Sequence, residues 1–405
     1  MMIAEKPEIT LAVPPCQPQS VRTFINLNYS LEWVYKQQMF KRFQPHIDYP
    51  LLFAILTLIT LSTLSVWSAS SFSEPIIERH LIRAALAIGA LVFMSCISPL
   101  RYQRSAPYLY GLTVLLLVGV FVLGDSTNGS QRWLEIGPIR FQPSELVKVA
   151  IPLMMAWIII ADAGRPTIKK IFLCLLVTSV PAGLIFIQPD LDGAIFTIIY
   201  ALFVLYFAGM AWKIILSVLG VVAVSLPVSW YFVMAPYQKK RITQFLNPES
   251  DPLGAGYQII QSKIAIGSGG IKGKGWMDAT QGNLGFIPES HTDFIFSTFA
   301  EEWGYIGSVV LLALYLFITA RVLWLACQTE SPFSRLVSAA FALSFFLYSF
   351  INIGMVSGVL PVMGSPLPFF SYGGSAIITQ GAIFGMIMSL NLRKPSIVEQ
   401  SRSRK

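Results

Sequence analysis

Tyr237–Phe296 reads YQKKRITQFLNPESDPLGAGYQIIQSKIAIGSGGIKGKGWMDATQGNLGFIPESHTDFIF, and two acids, Glu301 and Glu302, follow it. It is the one long polar insertion in an otherwise apolar chain. Lys239, Lys240, Arg241, Lys263, Lys272 and Lys274 fall within it, with a glycine run and a late acid, Asp293. Loops of this length inside a compact protein are usually functional or disordered, and this one is too rich in aromatic and aliphatic residues for disorder. The insertion reads as the working part, and the apolar remainder as its mount.

That remainder is unusually poor in charge. The 405-residue chain is 54% hydrophobic and only 12% charged, with positive mean hydropathy. Soluble domains carry about 25% charged residues, so the composition points to a polytopic membrane protein. Ten segments approach the roughly 20 apolar residues that a spanning helix needs. They are Pro50–Ser68, Leu81–Ile97, Tyr108–Leu123, Leu146–Ile160, Ile171–Ile187, Gly193–Phe207, Trp212–Ala235, Phe299–Cys327, Leu336–Gly358 and Ser375–Leu390. The expected fold is therefore an all-α polytopic membrane protein of ten transmembrane helices. Residues 1–49 form an N-terminal tail, 50–391 the helical domain and 392–405 a C-terminal tail. The long loop, residues 236–298, joins helices seven and eight. A weak pattern over Phe24–Phe43 allows a helix lying on the membrane surface.

Charge sets the orientation. Arg101, Arg104, Arg165, Lys169, Lys170, Lys213, Arg321 and Arg335 fall on one side of the ten segments, together with both tails. The positive-inside rule puts that side in the cytoplasm and the long loop outside. Arg79 and Arg83, at the outer end of the second segment, are exceptions. The net charge of +8 thus reads as membrane orientation and not as nucleic-acid binding. Residues 1–49 show no short apolar core of a signal peptide. Cys16, Cys96, Cys174 and Cys327 all fall in the tail or at inner segment ends, which argues against disulfides. No His or Cys cluster has metal-ligand spacing.

Five stretches carry candidate chemistry. Gly267–Gly275, GSGGIKGKG, offers backbone N–H groups and the charges of Lys272 and Lys274 to an anion, or is a turn between two interfacial helices. In Asn247–Ile266, Tyr257, Ile260 and Ile264 share one helical face, and Lys263 reaches either lipid headgroups or solvent. In Arg132–Lys148, RWLEIGPIRFQPSELVK, Arg132 and Arg140 lie in an outer loop. There Glu145 and Lys148, at i and i+3, share a face of the fourth helix and can pair. In Pro288–Phe296, PESHTDFIF, Asp293 enters the eighth helix as either a general base or an N-terminal cap, with His291 beside it. Leu360–Ser375, LPVMGSPLPFFSYGGS, is uncharged and reads as a rigid re-entrant turn at the outer face.

Together these stretches, with QPDLDGA at 188–194 and EEWGYIG at 301–307, resemble the SEDS family of shape, elongation, division and sporulation proteins. The likeness runs over roughly residues 45–393 and leans to the elongation paralogue over the division paralogue. It implies a ten-helix peptidoglycan glycosyltransferase that polymerises lipid II on the outer face of the bacterial cytoplasmic membrane, with both termini inside. A class B penicillin-binding transpeptidase is the implied partner. The family's essential aspartate falls on Asp293, its charged pair on Glu145 and Lys148, and its outer arginines on Arg132 and Arg140. The family's usual QPDLG is QPDLD here, with Asp192 in place of glycine; Ser365 and Phe370 also differ from the commoner residues. On this reading Asp293 deprotonates the attacking sugar hydroxyl. Arg132, Arg140, Lys263, Lys272 and Lys274 are candidate substrate contacts, while Glu145 and Lys148 shape the cavity. The departing diphosphate needs cationic side chains or a divalent cation. One carboxylate in the H-T-D-F core fits single displacement with inversion; Glu289 is the neighbour that would complicate it. A lipid II flippase using the same charged cavity is the alternative.

Overall fold

The computed structural model describes residues 45–391, except 71–72, 124, 128–129, 137–138, 161–165, 284, 288–289 and most of 212–254. The expected surface helix at 24–43, nearly all of the seventh span and the C-terminal tail lie outside the described residues. So does Glu289.

The helical expectation holds for the bulk of the chain. Helices α1 (Tyr49–Ala69), α2 (Glu74–Ser95) and α3 (Pro99–Leu123) come first. Helices α4 (Pro143–Ile160), α5 (Ile168–Ile187) and α6 (Leu191–Phe207) follow a short sheet. Then come α7 (Ala255–Ser268), the single turn α8 (Thr280–Asn283), α9 (Ile295–Gln328), α10 (Pro332–Val356) and α11 (Ser375–Leu390). Among the described residues, six of these are long and apolar enough to cross a membrane: α1, α3, α4, α5, α9 and α10. Helices α6 and α11 are apolar but shorter. This is a multi-pass membrane protein.

Local chemistry starts the helices where they start. Asp48 accepts from Leu51 N at 3.0 Å and Asp190 from Gly193 N at 3.0 Å, capping α1 and α6. Prolines occupy the first turns of α1, α2 and α10, where the missing N–H costs nothing. Helices α3 and α10 begin at Pro99 and Pro332, earlier than the apolar runs at Tyr108 and Leu336. Their first turns carry Arg101, Arg104 and Arg335, so hydropathy passes over residues that are nonetheless helical.

The all-α expectation is amended at one place. The α3–α4 connection holds a three-stranded antiparallel sheet, β1 (Asp125–Thr127), β2 (Ser130–Ile136) and β3 (Ile139–Phe141), in the order β1-β2-β3. Leu134 pairs with Phe141 and Ile136 with Ile139. Two short runs are enough to form such a pairing.

The helices meet closely. In α11, a Cβ at Gly381 would stand 2.2 Å from Ala87 O, and one at Gly385 2.1 Å from Leu91 O. This spacing of small residues lets α11 lie backbone-to-backbone on α2. Helix α10 packs against α4, α6 and α9, so it stands in the middle of the bundle. Phe369 and Phe384 pack against Phe345 of this helix and are wholly enclosed.

Helix α9 breaks at Gly304, whose φ of 64° and ψ of −161° are not helical. Residues 269–275 fill the break. Tyr305 N donates to Gly270 O at 2.9 Å and Ile306 N to Ile271 O at 3.2 Å. In return Lys274 N donates to Glu301 O at 3.0 Å and Gly275 N to Glu302 O at 3.1 Å.

Candidate active site

Asp293 lies half-buried just ahead of α9. The N-cap of that helix is Phe294, so Asp293 stands one position ahead of it. Its backbone is fixed from α10. Asn352, with no exposed surface, donates through Nδ2 to Asp293 O at 2.9 Å and to Ser365 O at 2.7 Å. Its carboxylate lies against the 360–374 loop: a Cβ at Gly364 would be 3.6 Å from Asp293 Oδ2. The loop also grips the preceding residues. Tyr372 N donates to His291 O at 2.9 Å, and the two rings lie 5.5 Å apart. Arg83, one of the two arginines at odds with the orientation rule, lies over the Tyr372 ring at 4.6 Å.

The second constellation sits on the same face of α10. Tyr348 precedes Asn352 by four residues, about 6 Å along the axis, and Lys148 Nζ lies 4.7 Å over its ring. Lys148 Nζ donates to Glu145 Oε1 at 2.6 Å, with both side chains nearly enclosed. The i, i+3 pairing expected from the sequence is present. Among the described residues, Glu145 Oε2 has no hydrogen-bond partner. Intramembrane charges of this kind face the bundle interior. The loop covers them: Lys148, Tyr348, Leu367, Phe369, Ser371 and Gln380 bound a void of about 10 Å³, room for no more than a water. Loop 360–374 therefore spans the site, with Gly364 at Asp293 and its later residues over Lys148. Leu367, Phe369 and Phe370 are buried, as a re-entrant turn requires.

The glycine run is put to a different use from anion binding. Its amides at Gly269, Gly270, Gly273, Lys274 and Gly275 all donate within the protein. A Cβ at Gly269 would meet Ala300 O at 2.2 Å, and one at Gly273 would meet Glu302 O at 2.0 Å. The glycines are there because the loop backbone lies directly on the broken helix. Lys274 is likewise engaged: its Nζ is 2.6 Å from Glu301 Oε1 and 2.9 Å from Thr280 Oγ1. Thr280 N and Oγ1 donate to the same carboxylate oxygen at 3.0 and 2.9 Å. Glu302 Oε1 accepts from Ser68 Oγ and from Met277 N. Lys272 is exposed.

Lys263 is exposed on α7, and its Cε and Nζ cross Gly358, where a Cβ would clash at 2.0 and 2.6 Å. A cation there complements the C-terminal end of α10. The packed face of α7 is Ile259, Ser262 and Ala265, with Ser262 Oγ donating to Val356 O at 2.8 Å. The expected apolar face is not the packed one, and Ile264 is 46% exposed. Small side chains make the tighter contact. Arg132 and Arg140 lie on β2 and β3, Arg140 opposite Glu135; their side chains lie outside the described residues.

Asn352, Tyr348 and Gly364 were passed over in the sequence. Asn352 gave a usable signal, an amide inside an apolar spanning segment. Gly364 gave none, since its role depends on two distant acids. Among the described residues no three His, Cys, Asp or Glu side chains converge as a metal cluster. A larger cavity of about 450 Å³, bounded by Asp48, Arg321, Trp324 and Asn391, lies at the opposite end of the bundle.

Comparison with known proteins shows the family. A family profile described as Cell cycle protein (FTSW_RODA_SPOVE) matches residues 47–395. The chain is 46% identical over 349 residues to the peptidoglycan glycosyltransferase MrdB of Escherichia coli K12, covering 86% of this chain and 94% of the relative. A solved chain from a peptidoglycan synthase complex that coordinates polymerization and crosslinking superposes with a TM-score of 0.74 at 34% identity, covering 85% of this chain and 97% of that one. The rod shape determining protein RodA of Thermus thermophilus superposes at 0.65 with 29% identity, covering 85% and 96%. With the profile spanning most of the chain and the match to MrdB nearly end to end, the protein belongs to the FtsW/RodA/SpoVE family, on its rod-shape side.

Proposed function

We propose that the chain is a peptidoglycan glycosyltransferase that polymerises lipid II during cell elongation, with Asp293 as general base. The carrying observation is the setting of Asp293. Asn352 fixes its backbone to the central helix, and its carboxylate lies at Gly364, at the end of the bundle where α1 ends and α9 begins. A positioned carboxylate beside apolar Phe294 and Ile295 suits removal of a proton from an incoming sugar hydroxyl. The freed oxygen attacks the anomeric carbon of the second lipid-linked chain, the bond to the lipid diphosphate breaks, and the configuration inverts.

The cations divide by position. Lys274 is held by Glu301, so its part is to seat the loop. Arg132, Arg140, Lys263 and Lys272 remain as contacts for the departing diphosphate. Lys148 lies behind the 360–374 loop with Glu145 beside it, and the pair shapes the cavity. The topology that fits is ten spans, the seventh within 212–235, both tails in the cytoplasm and residues 236–298 outside, in the bacterial inner membrane. The complex in which the structural relative was solved supports a class B penicillin-binding transpeptidase as partner.

The test is purified protein with labelled lipid II in detergent, where transport has no meaning. Wild-type protein makes glycan strands, and Asp293→Ala makes none while unfolding at the same temperature. Strands from Asp293→Ala overturn the base assignment; no strands from wild type, with or without the transpeptidase, overturn the enzyme reading in favour of transport.

A further inference from the structure

We propose that Asp192 is a positioning residue for Asp293, acting through Gly364. This rests on the glycosyltransferase reading of the Asp293 site. Asp192 lies in the first turn of α6, whose N-terminus is built for it. Gln188 Nε2 holds the preceding turn to Leu117 O at 3.0 Å, and Asp190 caps the helix through Gly193 N. From there Asp192 Oδ2 accepts from Gly364 N at 3.2 Å. Asp192 and Gly364 are 172 residues apart in the chain, so the bond joins α6 to the loop between α10 and α11.

Gly364 is where this link matters. Its Cα faces the Asp293 carboxylate, with only 3.6 Å between a Cβ position and Oδ2. The next residue, Ser365, is tied through its carbonyl to Asn352, which also holds Asp293 O. Residues 364 and 365 are thus gripped from two sides, by the amide of Asn352 on the core side and by Asp192 on the exposed side. Asn352 sets where the backbone of Asp293 stands; Asp192 sets how closely the loop lies on its carboxylate. A glycine at position 192, as in the QPDLG pattern, has no side chain to make the bond, and the loop there would be held from one side only. Shifts of an ångström in a reacting group cost large factors in rate.

Asp192→Ala, Asp192→Gly and Asp192→Asn are compared with wild type in the detergent polymerisation assay, and by deuterium exchange of the peptide covering residues 360–366. Asn keeps a carbonyl oxygen for Gly364 N; Ala and Gly do not. The expected result is faster exchange at 360–366 and about a three- to tenfold lower kcat in Ala and Gly, the scale of one hydrogen bond, with KM unchanged. Asn restores both readouts toward wild type. Unchanged exchange in Asp192→Ala overturns the link, whatever the activity. Changed exchange with unchanged kcat overturns the positioning role. A kcat in Asp192→Asn as low as in Asp192→Ala shows that charge and not the bond matters, and also overturns it. If wild type makes no polymer, the reaction reading fails and the role with it, while the exchange data still report on the link.

Discussion

Lys274 Nζ stands 2.6 Å from Oε1 of Glu301, an acid with no exposed surface that lies 27 residues further along the chain. The pair sits where residues 269–280 fold onto the broken helix, so the lysine holds that segment in place. Lys274→Met leaves the carboxylate enclosed without its cation. The expected loss is about 2–4 kcal/mol, somewhat below a fully enclosed pair because the lysine side chain is 29% exposed. Thermal unfolding in detergent measures it, and Lys274→Met/Glu301→Gln recovers part of the loss. A large rise in KM at unchanged stability would instead make Lys274 a substrate contact.

The glycines of the 267–275 run separate into those the fold requires and those it does not. Gly273 has a φ of +81° and would place a Cβ 2.0 Å from Glu302 O. Gly273→Ala is expected to cost at least about 2 kcal/mol through strain and displacement of the loop. Gly267 is helical with nothing within 4 Å of its Cβ position. Gly267→Ala is expected to leave stability equal or raise it by up to about 1 kcal/mol. Equal loss of activity without loss of stability in both variants would restore the anion-loop reading.

Lys148 and Glu145 form an enclosed pair in which one carboxylate oxygen has no partner among the described residues. Lys148→Ala should lose about 3–5 kcal/mol, because it strands the remaining charge. Glu145→Gln/Lys148→Met should regain most of that stability. Polymerisation is not expected to return with it, since the cation also faces the cleft under the 360–374 loop. Full return of polymer in the double variant would reduce the pair to an ordering role.

The far end of the bundle offers a control. Asp48 accepts from Arg321 Nη2 at 2.7 Å and Nε at 3.1 Å, as well as capping α1. Asp48→Ala should lower stability by about 1–2 kcal/mol. With a helix of about 30 Å between it and Asp293, strand synthesis per folded molecule should not change. A drop in kcat there would show that the two ends are coupled.

The parts legible in the sequence were those with a short repeat or a short spacing. Apolar length announced the helices, and the i, i+3 spacing announced the Glu145–Lys148 pair. Asp293 was singled out by the family resemblance and by no spacing. What stayed hidden depends on contacts between distant segments. The bond from Asp192 to Gly364 and the seat of Lys274 on Glu301 leave no periodic trace. The sheet carrying Arg132 and Arg140 was passed over because its strands are short and flanked by membrane-length helices, where helix is the default reading. The glycine run looked like a ligand cradle because close approach to an anion and close approach to another backbone call for the same residue.

The break at Gly304 has a last consequence for how this protein is assembled. A spanning helix cannot open its backbone toward hydrocarbon, because unsatisfied peptide groups there cost several kcal/mol each. Here the donors of Tyr305 and Ile306 and the acceptors of Glu301 and Glu302 are answered by residues 270–275. Residues 270–275 thus act as a plug in the broken helix. Cutting it out would leave α9 with unanswered peptide groups at its break, so the two segments have to fold together.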